Sequence, residues 1–385
     1  MSTGIRICIL TSSHSPFDGR IFHRHAKCLA KAGYDTTIIV PHTADEVVDG
    51  VRIKAVPKST SRFKRLLITP FYVFKAAIRE EADIYHFHDP ELILFGLLLK
   101  LLGKRVVYDV HEYYKLNYMT RRPSSSFLRY LFAYIFDFLE TRVSRLYDGV
   151  VAVDRMIESK FKGMAVTVSN YPYRPGNSVR INARVGEFKC VYAGGLNADR
   201  GLFKMIEAME HVDRPARLIL LGSISDEYRR KSEKMKGYEK VEILGHRSWE
   251  EVQERLQECD LGLVLLQPVP AYFYAGEGTV KLFEYMGAAL PVLGSNFPNL
   301  ERIINEAGCG TTVDPTDPVE IARKIIAFAE DPINAKRMGE NGRRAVMEKY
   351  NWETESKNLL GLYNRILAGQ SKSTHMALKG GPHEV

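Results

Sequence analysis

Long apolar runs are missing from this 385-residue chain. Its most hydrophobic stretches, LLITPFYVF and LILFGLLL, fall well short of the roughly 20 residues that cross a bilayer, so no membrane span is expected. The N-terminus, MSTGIRICILT, has no basic segment followed by an apolar one, so no secretory leader is expected either. Cysteine is scarce. Cys8, Cys28, Cys190, Cys259 and Cys309 lie far apart without CxxC or CxxH spacing, which argues against a zinc framework or a disulfide scaffold and suits a reducing cytoplasm. No GxGxxG follows the first strand, which removes the signature of a dinucleotide-dependent oxidoreductase. No recognised nucleic-acid motif accompanies the basic residues, so nucleic acid is not an expected partner.

What is present is ordinary globular material: 45% hydrophobic and 26% charged residues, with no low-complexity tract. The length exceeds one typical domain, so two are expected. The charge is unevenly placed. Residues 1 to 170 carry 25 lysines and arginines against 17 acids, a balance of +8 that accounts for the whole chain's +8. Residues 51 to 80 hold Arg52, Lys54, Lys58, Arg62, Lys64, Arg65, Lys75 and Arg79 against Glu80, interleaved with aromatics and leucines, and 121 to 142 reads RRPSSSFLRYLFAYIFDFLETR. Two readings stand side by side. One is an anionic membrane surface, met by basic groups and aromatics together, giving a cytoplasmic protein with peripheral membrane contact. The other is a pair of solvated basic helices packed by their apolar faces.

Short β-branched runs alternate with amphipathic segments throughout, which predicts α/β architecture with parallel sheets. Strands are expected at 5–11, 35–41, 83–89, 105–111 and 149–154, then at 188–194, 216–222, 240–245, 261–266, 291–294 and 310–313. Residues 171–186, rich in Pro, Gly, Asn and Arg, read as a linker. The expected organisation is a Rossmann-like domain at 1–170, the linker, a second at 187–350, a helix at 351–370 crossing back to the first, and a disordered tail at 371–385. Two doubly wound sheets facing across a cleft would place function in the loops at the carboxyl ends of their strands.

Two loops of the second half carry phosphate chemistry. In GEGTVKLFEYMGAALPVL (276–293), Gly276 and Gly278 leave backbone N–H groups open to a ligand. A helix starting near Thr279 aims its positive end there, Lys281 adds a cation, and Glu284 can accept from sugar hydroxyls. In YAGGLNADRGL (192–202), Gly194 and Gly195 form the turn and Arg200 precedes a helix, where arginine suits bidentate phosphate contact. Each loop also has a plain structural reading, a Thr279 cap with a Lys281–Glu284 pair in the first and a surface arginine in the second.

The combination of SSHSPFDGRIFHRHAKCLAKAGY, HFHDPELI with VVYDVHE, YAGGLNADRGL and KLFEYMGAALPVL resembles the family 4 retaining glycosyltransferases, with the GT-B fold, from about residue 5 to 367. The resemblance implies a nucleotide-sugar donor on the second domain, an acceptor approached from the first, and no metal; no Asp-x-Asp is present. It assigns Arg200 and Lys281 to the donor diphosphate, Glu284 to the ribose, and Gly194 and Gly195 to the loop beneath the phosphates. Many relatives have Arg where this chain has Gly195, and Glu where it has Gly276; Glu277, one place late, is the candidate for the sugar hydroxyls. His111 matches the histidine near the transferred sugar. His88, Asp89, Asp18 and Arg20 are the expected acceptor contacts, the last two with a salt bridge as the alternative. The nucleotide sugar is substrate, so no cofactor is expected. The function implied is sugar transfer in cell-surface polysaccharide or glycolipid assembly. The alternative is a non-transferring relative, an epimerase or a sugar-nucleotide-binding protein.

Overall fold

The computed structural model describes residues 4–58, 61, 66–120, 126–176 and 186–369. It divides into two compact units, Met1–Asn170 with Glu353–Val385, and Tyr171–Trp352. Residues 177–185 of the expected linker and the expected tail at 371–385 lie outside the described residues.

In the first unit the strands are β1 (Arg6–Leu10), β2 (Asp35–Pro41), β3 (Glu46–Val48), β4 (Val51–Val56), β5 (Ile84–Phe87), β6 (Arg105–Val110), β7 (Gly149–Ala152) and β8 (Ala165–Thr167). Their order is β3-β4-β2-β1-β5-β6-β7-β8, parallel except for the β3–β4 hairpin. Asp49 and Gly50 turn that hairpin with φ of 51° and 79°, the left-handed pair a two-residue turn demands. Helices are α1 (Lys27–Lys31), entered through a π-helical turn at Ile21–Ala26, α2 (Thr69–Glu80), α3 (Ile93–Leu101), α4 (Tyr114–Thr120), α5 (Ser126–Ser144) and α6 (Arg155–Lys160). One sheet face packs Leu10, Phe87, Tyr108 and Val150 against Val73 and Ala77 of α2, Leu99 of α3 and Ile157 of α6. Right-handed crossovers put these helices on that one side. The other face takes the π turn and the C-terminal helix, Trp352–Leu367. There Tyr363 meets Nδ1 of His86 at 2.8 Å, and a side chain at Gly149 would strike Leu362.

The second unit holds β9 (Phe188–Ala193), β10 (Ala216–Leu221), β11 (Val241–Gly245), β12 (Leu261–Val264), β13 (Val292–Ser295) and β14 (Gly310–Val313), all parallel in the order β11-β10-β9-β12-β13-β14. Its helices are α7 (Leu202–Glu210), α8 (Asp226–Ser232), α9 (Trp249–Leu256), α10 (Pro270–Phe273), α11 (Val280–Gly287), α12 (Pro298–Ala307), α13 (Pro318–Glu330) and α14 (Pro332–Glu348). Local chemistry sets several boundaries. Ser248 and Glu251 cap α9 reciprocally, Asp317 caps α13 ahead of Pro318, and α12 begins on Pro298 and stops at left-handed Gly308.

Candidate active site

In each sheet the winding direction reverses once, between β1 and β5 in the first unit and between β9 and β12 in the second. Strand ends splay apart at such a point and leave room for a ligand. In the second unit it is flanked by the loop after β9, with Gly194 and Gly195, and by the segment after β12 that leads to α11.

The two loops meet there. A Cβ on Gly194, whose φ is +140°, would lie 3.2 Å from Cε of Lys281, and one on Gly195 would lie 3.2 Å from Nη1 of Arg200. Arg200 is held by a short turn in which Oδ1 of Asn197 accepts from the Arg200 N–H at 3.0 Å, and its Nε donates to the Tyr272 hydroxyl at 3.1 Å. Gly201 has φ +83° and packs so closely on β12 that a Cβ would sit 2.2 Å from the Leu265 carbonyl. Only glycine fits there. Lys281 lies over the Tyr192 ring at 5.0 Å, half-buried in the first turn of α11. Burial and the neighbouring Arg200 charge push its amine down to about 7, against the pull of Glu284. Thr279 makes no side-chain capping bond at the N-terminus of α11, as the plain structural reading would have it, and Gly278 beside it is exposed. Glu284 stands one turn beyond Lys281 on the same helix, partly buried.

Side chains at 195 and 276 would meet close neighbours. An arginine side chain at 195 would start against the guanidinium of Arg200. At 276 a Cβ would lie 2.7 Å from Cβ of Asn299, whose amide donates to the Tyr274 carbonyl at 2.7 Å and ties the loop to α12. The carboxylate of Glu277, the expected contact to the sugar hydroxyls, is buried and paired with Nη2 of Arg302 at 2.5 Å.

In the first unit the strand ends gather Thr11 to His14, His88 with Asp89, and His111. Asp89 is buried. Its Oδ2 accepts from the Thr11 hydroxyl at 2.7 Å and the Ser12 N–H at 2.6 Å, and its Oδ1 accepts from the Ser13 hydroxyl and faces Nδ1 of His14 at 3.1 Å. Burial opposes the charge, but the bond and charge of His14 with the two hydroxyls hold Asp89 well below the carboxylate range. Burial also disfavours a charged His14, yet Asp89 raises it to about 9, so it is an imidazolium at neutral pH. The His111 ring stands edge-on to it at 5.0 Å, and burial lowers His111 to about 4, which leaves a neutral imidazole. His111 can therefore exchange hydrogen bonds with a hydroxyl.

Three of the expected acceptor residues have partners within the first unit. Arg20 is only 6% exposed; its Nε and Nη2 donate to Asp109 at 2.8 Å each, and its Nη1 donates to the Val168 carbonyl and to Asn170 at 2.7 Å. Asp18 accepts from the Arg20 and Ile21 N–H groups and so starts the π turn. His88 is fully buried with Nδ1 3.1 Å from Asp109. Arg20 and His88 are thus buried on Asp109, while Asp18 is partly exposed. His14, His25 and Asp109 went unread in the sequence. The signal for Asp109 was its alternation with Tyr108 and Val110, which turn into the helical-layer core and leave it on the opposite sheet face, and the π turn that brings His25 to it has no sequence signature of its own.

His25, His86, His88 and Asp109 offer donor atoms within 4.8 Å of one another, the ligand chemistry of a transition metal. The set does not fit one, because Arg20 already grips both oxygens of Asp109. A divalent ion would leave excess positive charge fully buried beside a guanidinium.

A doubly wound pair of units with a cationic strand-end loop in the second defines the class: a GT-B glycosyltransferase fold. Residues 176–345 match the family "Glycosyl transferases group 1" and residues 19–167 match "Glycosyltransferase Family 4". Between them the matches take in most of the chain, which belongs to this glycosyltransferase family. Among curated relatives it is 26% identical over 86 residues to an MMP alpha-(1->4)-mannosyltransferase from Mycolicibacterium hassiacum, 22% of this chain and 21% of that protein. It is 32% identical over 95 residues to a sucrose synthase from Denitrovibrio acetiphilus, 24% of this chain and 12% of that one. The chain thus matches about a fifth or less of these relatives' length. The fold is similar to sucrose-phosphate synthase from Thermosynechococcus elongatus, with TM-score 0.78 and 18% identity over 95% of this chain and all of the other. It is also similar to HepE from Anabaena in complex with UDP-glucose, with TM-score 0.71 and 14% identity over 94% and 99%.

Proposed function

We propose that the protein is a retaining, metal-independent glycosyltransferase that moves a sugar from a nucleotide-diphosphate donor to an acceptor hydroxyl during assembly of a cell-surface glycan or glycolipid. The observation that carries the reading is the convergence of Arg200 and Lys281 on the Gly194–Gly195 loop, with Lys281 held near neutrality until an anion arrives. Negative charge gathers on the diphosphate as its bond to the sugar breaks. Two cations, loop N–H groups and the start of α11 stabilise that charge more in the transition state than before it. Glu284, on the same helix, accepts from the ribose hydroxyls. The similarity to HepE, crystallised with UDP-glucose, supports a nucleotide-sugar donor of this kind.

The acceptor is assigned to the first unit, where the Asp89–His14 pair and neutral His111 line the strand ends. His111 accepts or donates a hydrogen bond to a sugar hydroxyl and does not act as a general base, since burial already favours its uncharged form. Among the described residues of the second unit's site, Glu277 is bound to Arg302 and Glu284 is given to the ribose, so neither carboxylate is assigned as a covalent nucleophile. The leaving phosphate itself then receives the acceptor proton on the face the sugar leaves. Incubation with UDP-, GDP- and ADP-sugars and a lipid extract tests this, with the product's anomeric configuration read by proton NMR. Retention is expected; inversion refutes the same-face mechanism, and absence of product with every donor removes the transferase reading.

A further inference from the structure

The helical layer α2, α3 and α5 buries one side of each helix on the sheet and turns an apolar side outward. On α2 the exposed stripe is Phe71, Tyr72, Lys75, Ile78 and Arg79, spaced as one helix face. On α3 it is Leu94, Leu98 and Leu101, of which Leu94 is 68% and Leu101 75% exposed. On α5 it includes Phe127, at 73%, with Leu131, Ile135 and Phe138. The helices are neighbours: the Phe74 and Phe95 rings join α2 to α3 at 5.2 Å, and α3 packs beside α5. Scattered exposed leucines are ordinary, but a continuous apolar outer face on three helices is not.

The charge on this layer is sorted. Glu80 is buried and paired with Lys54, Glu140 is buried with the Tyr108 hydroxyl at 2.7 Å, Asp137 pairs with Lys160 at 2.8 Å, and Asp148 pairs with Lys100 at 2.8 Å. Lys75, Arg79, Arg142 and Arg145 are exposed, with Glu81 the exposed acid among them. The face is therefore apolar with a basic rim. A second copy related by a two-fold axis would set that rim against itself. An acidic, partly apolar surface complements it, and aromatic and basic side chains together suit the boundary of headgroups and acyl chains.

We infer that the outer face of α2, α3 and α5 docks on an anionic lipid bilayer. The face takes in the α2 part of the basic stretch at 51–80 and the α5 part of that at 121–142, and adds α3. Arg52 and Lys54 belong to β4 and pair with Asp35 and Glu80, residues 62–65 and 121–125 lie outside the described residues, and the leucines of α3 come from a segment with little charge. The docking is independent of the donor loops and stands apart from the transferase reading.

Flotation of the purified chain with phosphatidylcholine vesicles, with and without phosphatidylglycerol, tests it without any donor. Binding to the anionic vesicles is expected, falling as salt rises from roughly 0.05 to 0.5 M. Lys75→Glu with Arg79→Glu and Arg142→Glu should weaken it by on the order of a hundredfold, at about fivefold or more for each basic group. Phe71→Ser with Leu98→Ser and Leu131→Ser should abolish it, with circular dichroism and melting checking the fold; if that variant misfolds, the charge variant decides alone. Failure to bind either vesicle, or equal binding to neutral and anionic vesicles, overturns the proposal. So does a concentration-dependent dimer, seen by light scattering, that the charge or the serine substitutions dissociate.

Discussion

Lys281 should make donor binding a proton-uptake reaction. In the free protein its pKa is about 7, lowered by burial and by Arg200, with Glu284 pulling the other way. A bound diphosphate replaces the repulsion with attraction and raises the pKa, so the ligand prefers the protonated amine. The sign follows: affinity is full below pH 7 and is lost as pH climbs above it. Between pH 6 and pH 9 the charged fraction in the free protein falls about a hundredfold, and Kd should rise by about that factor, about 2.7 kcal/mol. Calorimetry in buffers of different ionisation enthalpy should find about one proton taken up per nucleotide sugar near pH 8 to 9, where the ligand's own phosphates carry fixed charge. Lys281→Arg keeps a permanent cation and should flatten the profile. His14, at about 9, also titrates in this range, but it lies in the first unit and is untouched by that substitution. A Kd unchanged from pH 6 to 9, with no buffer dependence, would refute the reasoning.

Arg200→Ala removes both a phosphate contact and the cation that depresses Lys281. Turnover should drop about a hundredfold to a thousandfold while the alkaline limb of kcat/KM moves to higher pH. Asp109→Asn leaves the Arg20 guanidinium buried without its counter-charge and should cost about 3–5 kcal/mol by urea unfolding, whereas Arg20→Met with Asp109→Leu should cost less. Gly201→Ala forces a Cβ to within 2.2 Å of the Leu265 carbonyl at φ +83°, so a loss of about 1–3 kcal/mol with weakened nucleotide binding is expected. Arg302→Ala frees Glu277 from its buried pair, and the loop after α10 should become more protease-sensitive.

Most of the architecture was legible because parallel strands buried on both faces are written as unbroken β-branched runs, such as DTTIIVP for β2. The hairpin of β3 and β4 escaped although VVDGVRI carries the Asp-Gly signal, because the basic residues of β4 drew the reading toward a surface segment. The short edge strand AVT, β8, has too little pattern to stand out. In the loops at 192–202 and 276–281, glycines with a following cation were a readable pattern, and the structure brings Gly194, Gly195, Arg200 and Lys281 together. What sequence spacing could not show is where a charge is spent. Glu277 faces Arg302 from a different helix, and Arg20 reaches Asp109 across 89 positions, so pairings of that range decide which charged groups remain for a ligand.

The central claim is that Arg200 and Lys281 hold the diphosphate of a sugar donor whose sugar is transferred. The most direct measurement is nucleotide release from a panel of UDP-, GDP- and ADP-sugars, with glycosylated acceptor followed by mass spectrometry, for the native chain and for Arg200→Ala with Lys281→Ala. One preferred nucleotide is expected, released in step with product and lost in the double variant. Release that persists at the native rate in the double variant would contradict it.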